Sequence, residues 1–374
     1  MHSSSNLIPV TLLTGFLGSG KTTLLNHLVR QPELSDALVI INEFGEMALD
    51  HLLVAHSTEN VVMEMNSGCV CCTIRGDLIK TLRDIAWRFT RNGQQQFRRV
   101  LIETTGLADP APIVHTLMTH PQIAPHYRLD GIVTAIDLAT GMHTLNEHQE
   151  AVKQAAMADT LLLTKSDLVT DEQRDAVLDR LHQLNPAAPC WLVRGGEIAA
   201  HKLLDLGLFS SSGKAADVAR WLKEEAYTGT VFRPATLQKA AGPAVLGFKT
   251  THDHLADTPV HDVNRHNDHI HAFCFAVEEP VREETLAVWL GLLMRFVGSN
   301  ILRVKGIINV DGQEQPIVLH GVQHIFHPPV PLPAWPSDDR RSRLVFITRD
   351  VDRDVIEQTF QMFQQALSPA RDAT

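Results

Sequence analysis

No long run of lysine and arginine occurs in these 374 residues, and 33 basic side chains face 43 acidic ones. A formal net charge of −10 excludes the footprint of a nucleic-acid binder and of a surface that seeks anionic lipid. Long apolar runs are missing as well. The stretch from Leu7 to Leu13 is too short and interrupted for a membrane span, and it leads into a glycine-rich loop instead of a cleavage site. No membrane partner is therefore expected, and the chain reads as cytoplasmic. Cysteine is scarce: five occur, and three of them crowd together at Cys69, Cys71 and Cys72. That is not the spacing of a secreted disulfide framework, and it points to a reducing compartment and a thiolate site. There is no internal repeat.

The length exceeds what one hydrophobic core usually organises, so two domains are expected. From residue 8 to about 195, short apolar runs alternate with amphipathic segments. Ile8 to Thr14, Ala37 to Asn42, Val61 to Asn66, Val100 to Glu103, Gly131 to Asp137 and Leu161 to Thr164 read as strands. Thr22 to Arg30, Asp77 to Arg91, Glu147 to Ala156 and Glu172 to Leu184 read as helices. This rhythm predicts an α/β fold with a doubly wound, mostly parallel sheet whose strand ends open onto a ligand crevice. The expected division is a P-loop domain over 1–205, a histidine-bearing linker over 206–270 and a smaller α+β C-terminal domain over 271–374. In the last of these, Asp311-Gly312 signals a hairpin turn.

Gly15-Phe16-Leu17-Gly18-Ser19-Gly20-Lys21-Thr22 stands between an apolar strand and a helical pattern. Its glycines let backbone N–H groups approach phosphate, Lys21 reaches the β- and γ-phosphates, and Thr22 offers a hydroxyl to Mg²⁺. Ser19, Gly20 and Thr23 complete the nucleotide-binding set with Gly15 and Gly18. A second strand ends in Glu103-Thr104-Thr105-Gly106. Glu103 is placed to meet the metal ion or attacking water, and the amide of Gly106 to meet the γ-phosphate. A third strand ends in Thr164-Lys165-Ser166-Asp167. A carboxylate at Asp167 accepts the N1 and N2 protons of guanine, whereas adenine would present a lone pair to it. GTP is thereby favoured over ATP, and a P-loop kinase acting on a small molecule is disfavoured.

Cys69-Val70-Cys71-Cys72 lies just before the start of a predicted helix, where a thiol's pKa is lowered. Three such sulfurs suit Zn²⁺ or Cu⁺, with a further ligand from elsewhere, although a redox role is the competing reading. Glu43, in Asn42-Glu43-Phe44-Gly45-Glu46, is a candidate for that ligand. It leaves the second strand where a switch loop would lie, so metal affinity and nucleotide state would be coupled. The linker crowds six histidines between His252 and His271, among them His266, His269 and His271 as candidate ligands for weak capture of a metal ion. A solvated polar linker is the alternative there.

Together these segments resemble the CobW-type GTPase metallochaperones, relatives of the UreG- and HypB-like GTPases that load nickel into urease and hydrogenase. The likeness extends to Leu302-Arg303-Val304-Lys305-Gly306 and Trp335, and covers nearly the whole chain. It implies GTP hydrolysis to GDP in a Mg²⁺ site and a transition-metal site on Cys69, Cys71 and Cys72 with Glu43 as helper. It also implies delivery of the metal to a client metalloprotein, with a homo-oligomer as a further expectation. Zinc is the expected metal and Co²⁺ the alternative, as a cobalt chaperone for cobalamin or a metalloenzyme. A nucleotide-gated metal buffer or sensor without a dedicated client is the competing function. Thr164 stands where the family more often has Asn. No residue reads as an arginine finger, which implies slow intrinsic turnover.

Overall fold

The computed structural model describes residues 7–41, 62–64, 73–92, 94–206, 269–326 and 329–366. The first sheet is built from β1 (Ile8–Gly15), β2 (Ala37–Ile41), β3 (Val62–Glu64), β4 (Arg99–Glu103), β5 (Tyr127–Asp137), β6 (Thr160–Thr164) and β7 (Cys190–Leu192). All seven run parallel, in the order β3-β2-β4-β1-β5-β6-β7. The helices between them are α1 (Lys21–Leu28), α2 (Thr73–Arg88), α3 (Ala111–Thr119), α4 (Gly141–Glu147), α5 (Gln149–Met157) and α6 (Asp171–Leu184).

The strands are apolar at consecutive positions because both faces are covered. Leu38 and Ile40 join the core beneath Leu78, Leu82 and Ile85 of α2. Val39 and Ile41 turn the other way, onto Leu24, Leu25 and Leu28 of α1. Helix α6 starts at Asp171 because Thr170 and Gln173 form a reciprocal capping box.

The second sheet comprises β8 (Ile270–Val277), β9 (Ile301–Ile308), β10 (Ile317–Val322) and β11 (Ser342–Arg349), with two-residue strands at Ile325–Phe326 and Val330–Pro331. It is antiparallel, in the order β8-β11-β9-β10. Alternation along β8 separates its faces. Phe273 and Phe275 pack under α7 (Glu283–Val297) and α8 (Arg353–Ala366), where Trp289 and Phe360 meet edge to face at 4.9 Å. Ala272 and Cys274, with Leu302, Val345 and Ile347, turn toward the first sheet and enter the same core as Ala156 and Met157 of α5.

A buried ionic cluster closes this seam. Asp159, one residue before β6, is paired with Arg303 of β9 and lies 3.1 Å from Lys305 Nζ. Arg303 also donates to the carbonyl of Met157, and its Nη2 lies 2.9 Å from His320 Nε2. Burial alone would raise the Asp159 pKa, but Arg303, Lys305, His320 and the amide of Ile132 together hold it well below the usual carboxylate range.

Several elements differ from expectation. Helix α3 was not among the expected helices; Pro110 and Pro112 stand at its start, where a missing N–H costs nothing. Strand β5 begins at Tyr127, four residues before Gly131, because the polar Asp130 within it is buried against Arg99 at 2.6 Å and Arg128 at 3.2 Å. Helix α2 begins at Thr73, four residues before Asp77. Strand β7 and helix α4 are short additions. Most of the expected linker lies outside the described residues. Among those described, no helix is long and apolar enough to cross a membrane.

Candidate active site

Strands β1, β2, β4 and β6 end at one edge of the first sheet. There a cleft of about 490 Å³ is lined by the phosphate loop, Ile41, Glu103, Gly106 and Lys165. The loop's backbone needs its glycines. Gly20, the N-cap of α1, is left-handed at φ 86°, and at Gly15, with φ 141°, a Cβ would meet the Ala135 carbonyl oxygen at 2.4 Å. Gly18 is likewise at positive φ, 71°.

Lys21 is buried at the start of α1, and its Nζ donates to the carbonyls of Gly15 and Phe16 at 2.9 and 3.1 Å. The cation therefore also holds the curl of the loop. The next residue, Thr22, donates its hydroxyl to Glu103 Oε1 at 3.1 Å, across 81 positions of sequence. Glu103 is 5% exposed. A hydroxyl and a buried carboxylate side by side at the cleft are hard oxygen donors, which fit a divalent cation such as Mg²⁺. Thr23 also lines the cleft, and Ser19 is buried within the loop.

The segment after Glu103 is fastened to β1. Thr104 donates its amide to the Leu13 carbonyl at 3.0 Å and its hydroxyl to Thr14 Oγ1 at 2.9 Å. It then passes so close to the phosphate loop that a Cβ on Gly106 would lie 2.5 Å from the Leu17 backbone nitrogen. Gly106→Ala is therefore expected to push this segment away by about 1 Å, a misplacement of the kind that costs about 100-fold in turnover. Steady-state GTP hydrolysis checks it, with a lowered kcat as the expected result.

The third cluster divides its work. Thr164 lies under the loop, its hydroxyl within hydrogen-bonding distance of the Ser19 and Ile136 carbonyls at 2.9 and 3.2 Å. Lys165, left-handed at φ 57°, pairs with Asp137 Oδ2 at 2.7 Å. Asp167 follows on a single 3-10 turn, Ser166–Leu168, and is exposed.

Sequence reasoning passed over three residues here. Asp137 ends β5 at the crevice as Glu103 ends β4, and that position was the available signal. Lys153 and Gln154 of α5 reach the segment after Glu103: Lys153 pairs with Asp109, and Gln154 Nε2 donates to the carbonyls of Gly106 and Ala108 at 3.1 and 2.9 Å. Nothing in a helical Lys-Gln pair announces such contacts.

Cys69, Cys71, Cys72, Glu43 and His266 lie outside the described residues. His269 pairs with Asp350, and His271 Nε2 lies 3.6 Å from Asp352. The two histidines are thus each matched to a carboxylate of their own. Among the described residues no three His, Cys, Asp or Glu side chains converge to hold a metal ion.

With this geometry in view, comparison with known proteins is informative. Residues 9–191 match the CobW/HypB/UreG nucleotide-binding domain, and residues 270–364 match the cobalamin synthesis protein CobW C-terminal domain. The chain is 30% identical to the zinc chaperone YjiA of Escherichia coli strain K12, over 95% of this chain and 98% of that one. It is 26% identical to the zinc-regulated GTPase metalloprotein activator 1 of Schizosaccharomyces pombe, over 95% of this chain and 82% of that protein. A crystal structure of a Zn(II)-bound triple mutant of the YjiA GTPase superposes with a TM-score of 0.65 at 25% identity, covering 96% of this chain and 99% of that one.

Proposed function

We propose that this chain, which belongs to the CobW/HypB/UreG family of P-loop GTPases, binds zinc through Cys69, Cys71 and Cys72 and couples GTP hydrolysis to passing that ion to a client metalloprotein. One observation carries the reading: β2 and β3 are parallel neighbours that end at Ile41 and Glu64, on the edge of the sheet where the nucleotide cleft opens. Glu43 follows two residues after the first of these ends, and the cysteines follow the second and precede α2 at Thr73. A rearrangement at the γ-phosphate would therefore lie beside Ile41, from which the segment carrying Glu43 departs. Relatives named as zinc chaperones supply the metal, and a relative named as a metalloprotein activator supplies the kind of client.

In this reading the phosphate loop and Lys21 hold the β- and γ-phosphates, and Asp167 holds the base. Thr22 and Glu103 would hold Mg²⁺, which when bound neutralises charge on the phosphate oxygens. Gly106 is close enough to the loop for its amide to meet the γ-phosphate, so the segment after Glu103 differs between GTP and GDP states. Residues 1–205 form the hydrolysing part and 206–270 link it to the C-terminal sheet of 271–374, whose first strand already starts at Ile270.

The test is zinc affinity in the two nucleotide states. For the unaltered chain it is expected to differ by about 5- to 150-fold between a GTP analogue and GDP. The double variant Cys71→Ser with Cys72→Ser should lose this difference while keeping its nucleotide affinity. Equal zinc affinities in both states of the unaltered chain would sink the coupling.

A further inference from the structure

The segment that follows Glu103 has a second anchor besides β1, and it comes from a helix with no catalytic motif. Gln154 is wholly buried, and its Nε2 reaches the carbonyls of Gly106 and Ala108 at once. The orientation of this amide is fixed by chemistry, since a flipped side chain would set an oxygen against two carbonyl oxygens. Lys153, one residue earlier, pairs with Asp109 on the same segment. Helix α5 thus grips three of the four residues from Gly106 to Asp109.

The helix that does the gripping is itself immobilised. Thr134 Oγ1 donates to the Gln154 carbonyl at 2.9 Å. Asn185 Nδ2 lies within 3.2 Å of the carbonyls of Ala155, Ala156 and Ala158, and Arg303 donates to that of Met157, so the carbonyls at the C-terminal end of the helix are satisfied. At its other end His148, the N-cap, stacks on Phe16 of the phosphate loop with ring centroids 4.5 Å apart. Gln154 Oε1 and Ser19 Oγ, both buried and without a hydrogen-bond partner among the described residues, line one cavity of about 10 Å³ beneath the loop. The amide therefore addresses the hydrolysis segment with one end and the underside of the phosphate loop with the other.

We propose that Gln154 is a positioning residue for GTP hydrolysis, holding the carbonyls of Gly106 and Ala108 so that the Gly106 amide stays registered on the γ-phosphate. The proposal rests on the reading of Glu103 and Gly106 given above. Preorganisation of this kind acts on the chemical step and leaves nucleotide affinity alone, because Gln154 makes no hydrogen bond to the phosphate loop.

The experiment uses the full-length protein with Mg²⁺, reading single-turnover GTP cleavage, KM for GTP and affinity for GDP. Gln154→Met keeps the volume and removes the donor. Its cleavage rate is expected to fall about tenfold, the loss of two hydrogen bonds, with KM and GDP affinity unchanged. Lys153→Met, which removes an ion pair whose Asp109 partner is partly open to solvent, should slow cleavage about threefold with the same split. A parental rate in Gln154→Met overturns the proposal, as does a rate that falls only in step with GDP affinity. Should Gln154→Met fold poorly, Lys153→Met decides, and a parental rate there overturns it. Glu103→Gln separates the two levels of argument. If Glu103→Gln cleaves GTP at the parental rate, the reading of the site is wrong; if it is slow while Gln154→Met is not, the positioning role alone fails.

Discussion

Asp167→Asn is expected to lower kcat/KM for GTP by roughly 10²- to 10³-fold and to make xanthosine triphosphate the better substrate. Thr164 and Lys165 already have partners, the Ser19 carbonyl for one and Asp137 for the other. Asp167 is the member of the cluster left exposed, two residues after Lys165, which lines the cleft. A carboxylate there accepts two protons from guanine, N1–H and one of the N2 amino group. Asparagine accepts the first and sets its own N–H₂ against the second. Losing a charge-assisted hydrogen bond and gaining a donor–donor clash is worth about 3–4 kcal/mol, which gives the stated factor. Xanthine has a carbonyl at C2, which the new amide can donate to, so the same change creates a matched pair. Steady-state kinetics with both nucleotides reads the reversal. A variant that still prefers GTP would remove Asp167 from base recognition.

Arg303→Met should be the most damaging single change away from the cleft, costing about 3 kcal/mol of stability by chemical denaturation. Its removal strands Asp159 in the seam with Lys305 as its remaining close cation, and an uncompensated buried charge is costlier than a missing pair. Adding Asp159→Asn should recover most of the loss. A single variant as stable as the parent would show that the cluster contributes nothing. The cluster also contributes to the response to acid. The Asp159 carboxyl is depressed in the folded protein, so its contribution is complete above the unfolded value of about 4 and is lost progressively as pH falls from there through the lower folded value. Neutral pH leaves the seam intact.

The segments of the candidate site could be picked out of the sequence because they are short, local and tied to strand ends. Gly15 to Thr22, Glu103 and Asp167 each sit where an apolar run stops, and a parallel sheet brings such stops to one edge. Two kinds of information escaped. Residues that look ordinary in their own segment, such as Gln154 in a helix or Asp130 within a strand, gain their role from partners tens of positions away, which no local pattern encodes. A helix over Ala111–Thr119 was not expected, and its Pro110 and Pro112 stand where a residue that breaks a helix in its middle is welcome, in the first turn. Arg303 and Lys305 were noticed as part of a family-like string without a reason. The reason is Asp159, 144 residues upstream of Arg303.

The core that runs from Val10 through Met157 to Ile347 leaves neither half of the chain with a finished surface. On the ribosome the first sheet is complete well before β11 exists, and β11 is the strand that ties β8 to β9. At ordinary rates of synthesis Ala156 and Met157 therefore stand uncovered for roughly ten seconds or more. The nascent protein carries an apolar, adhesive patch through that interval.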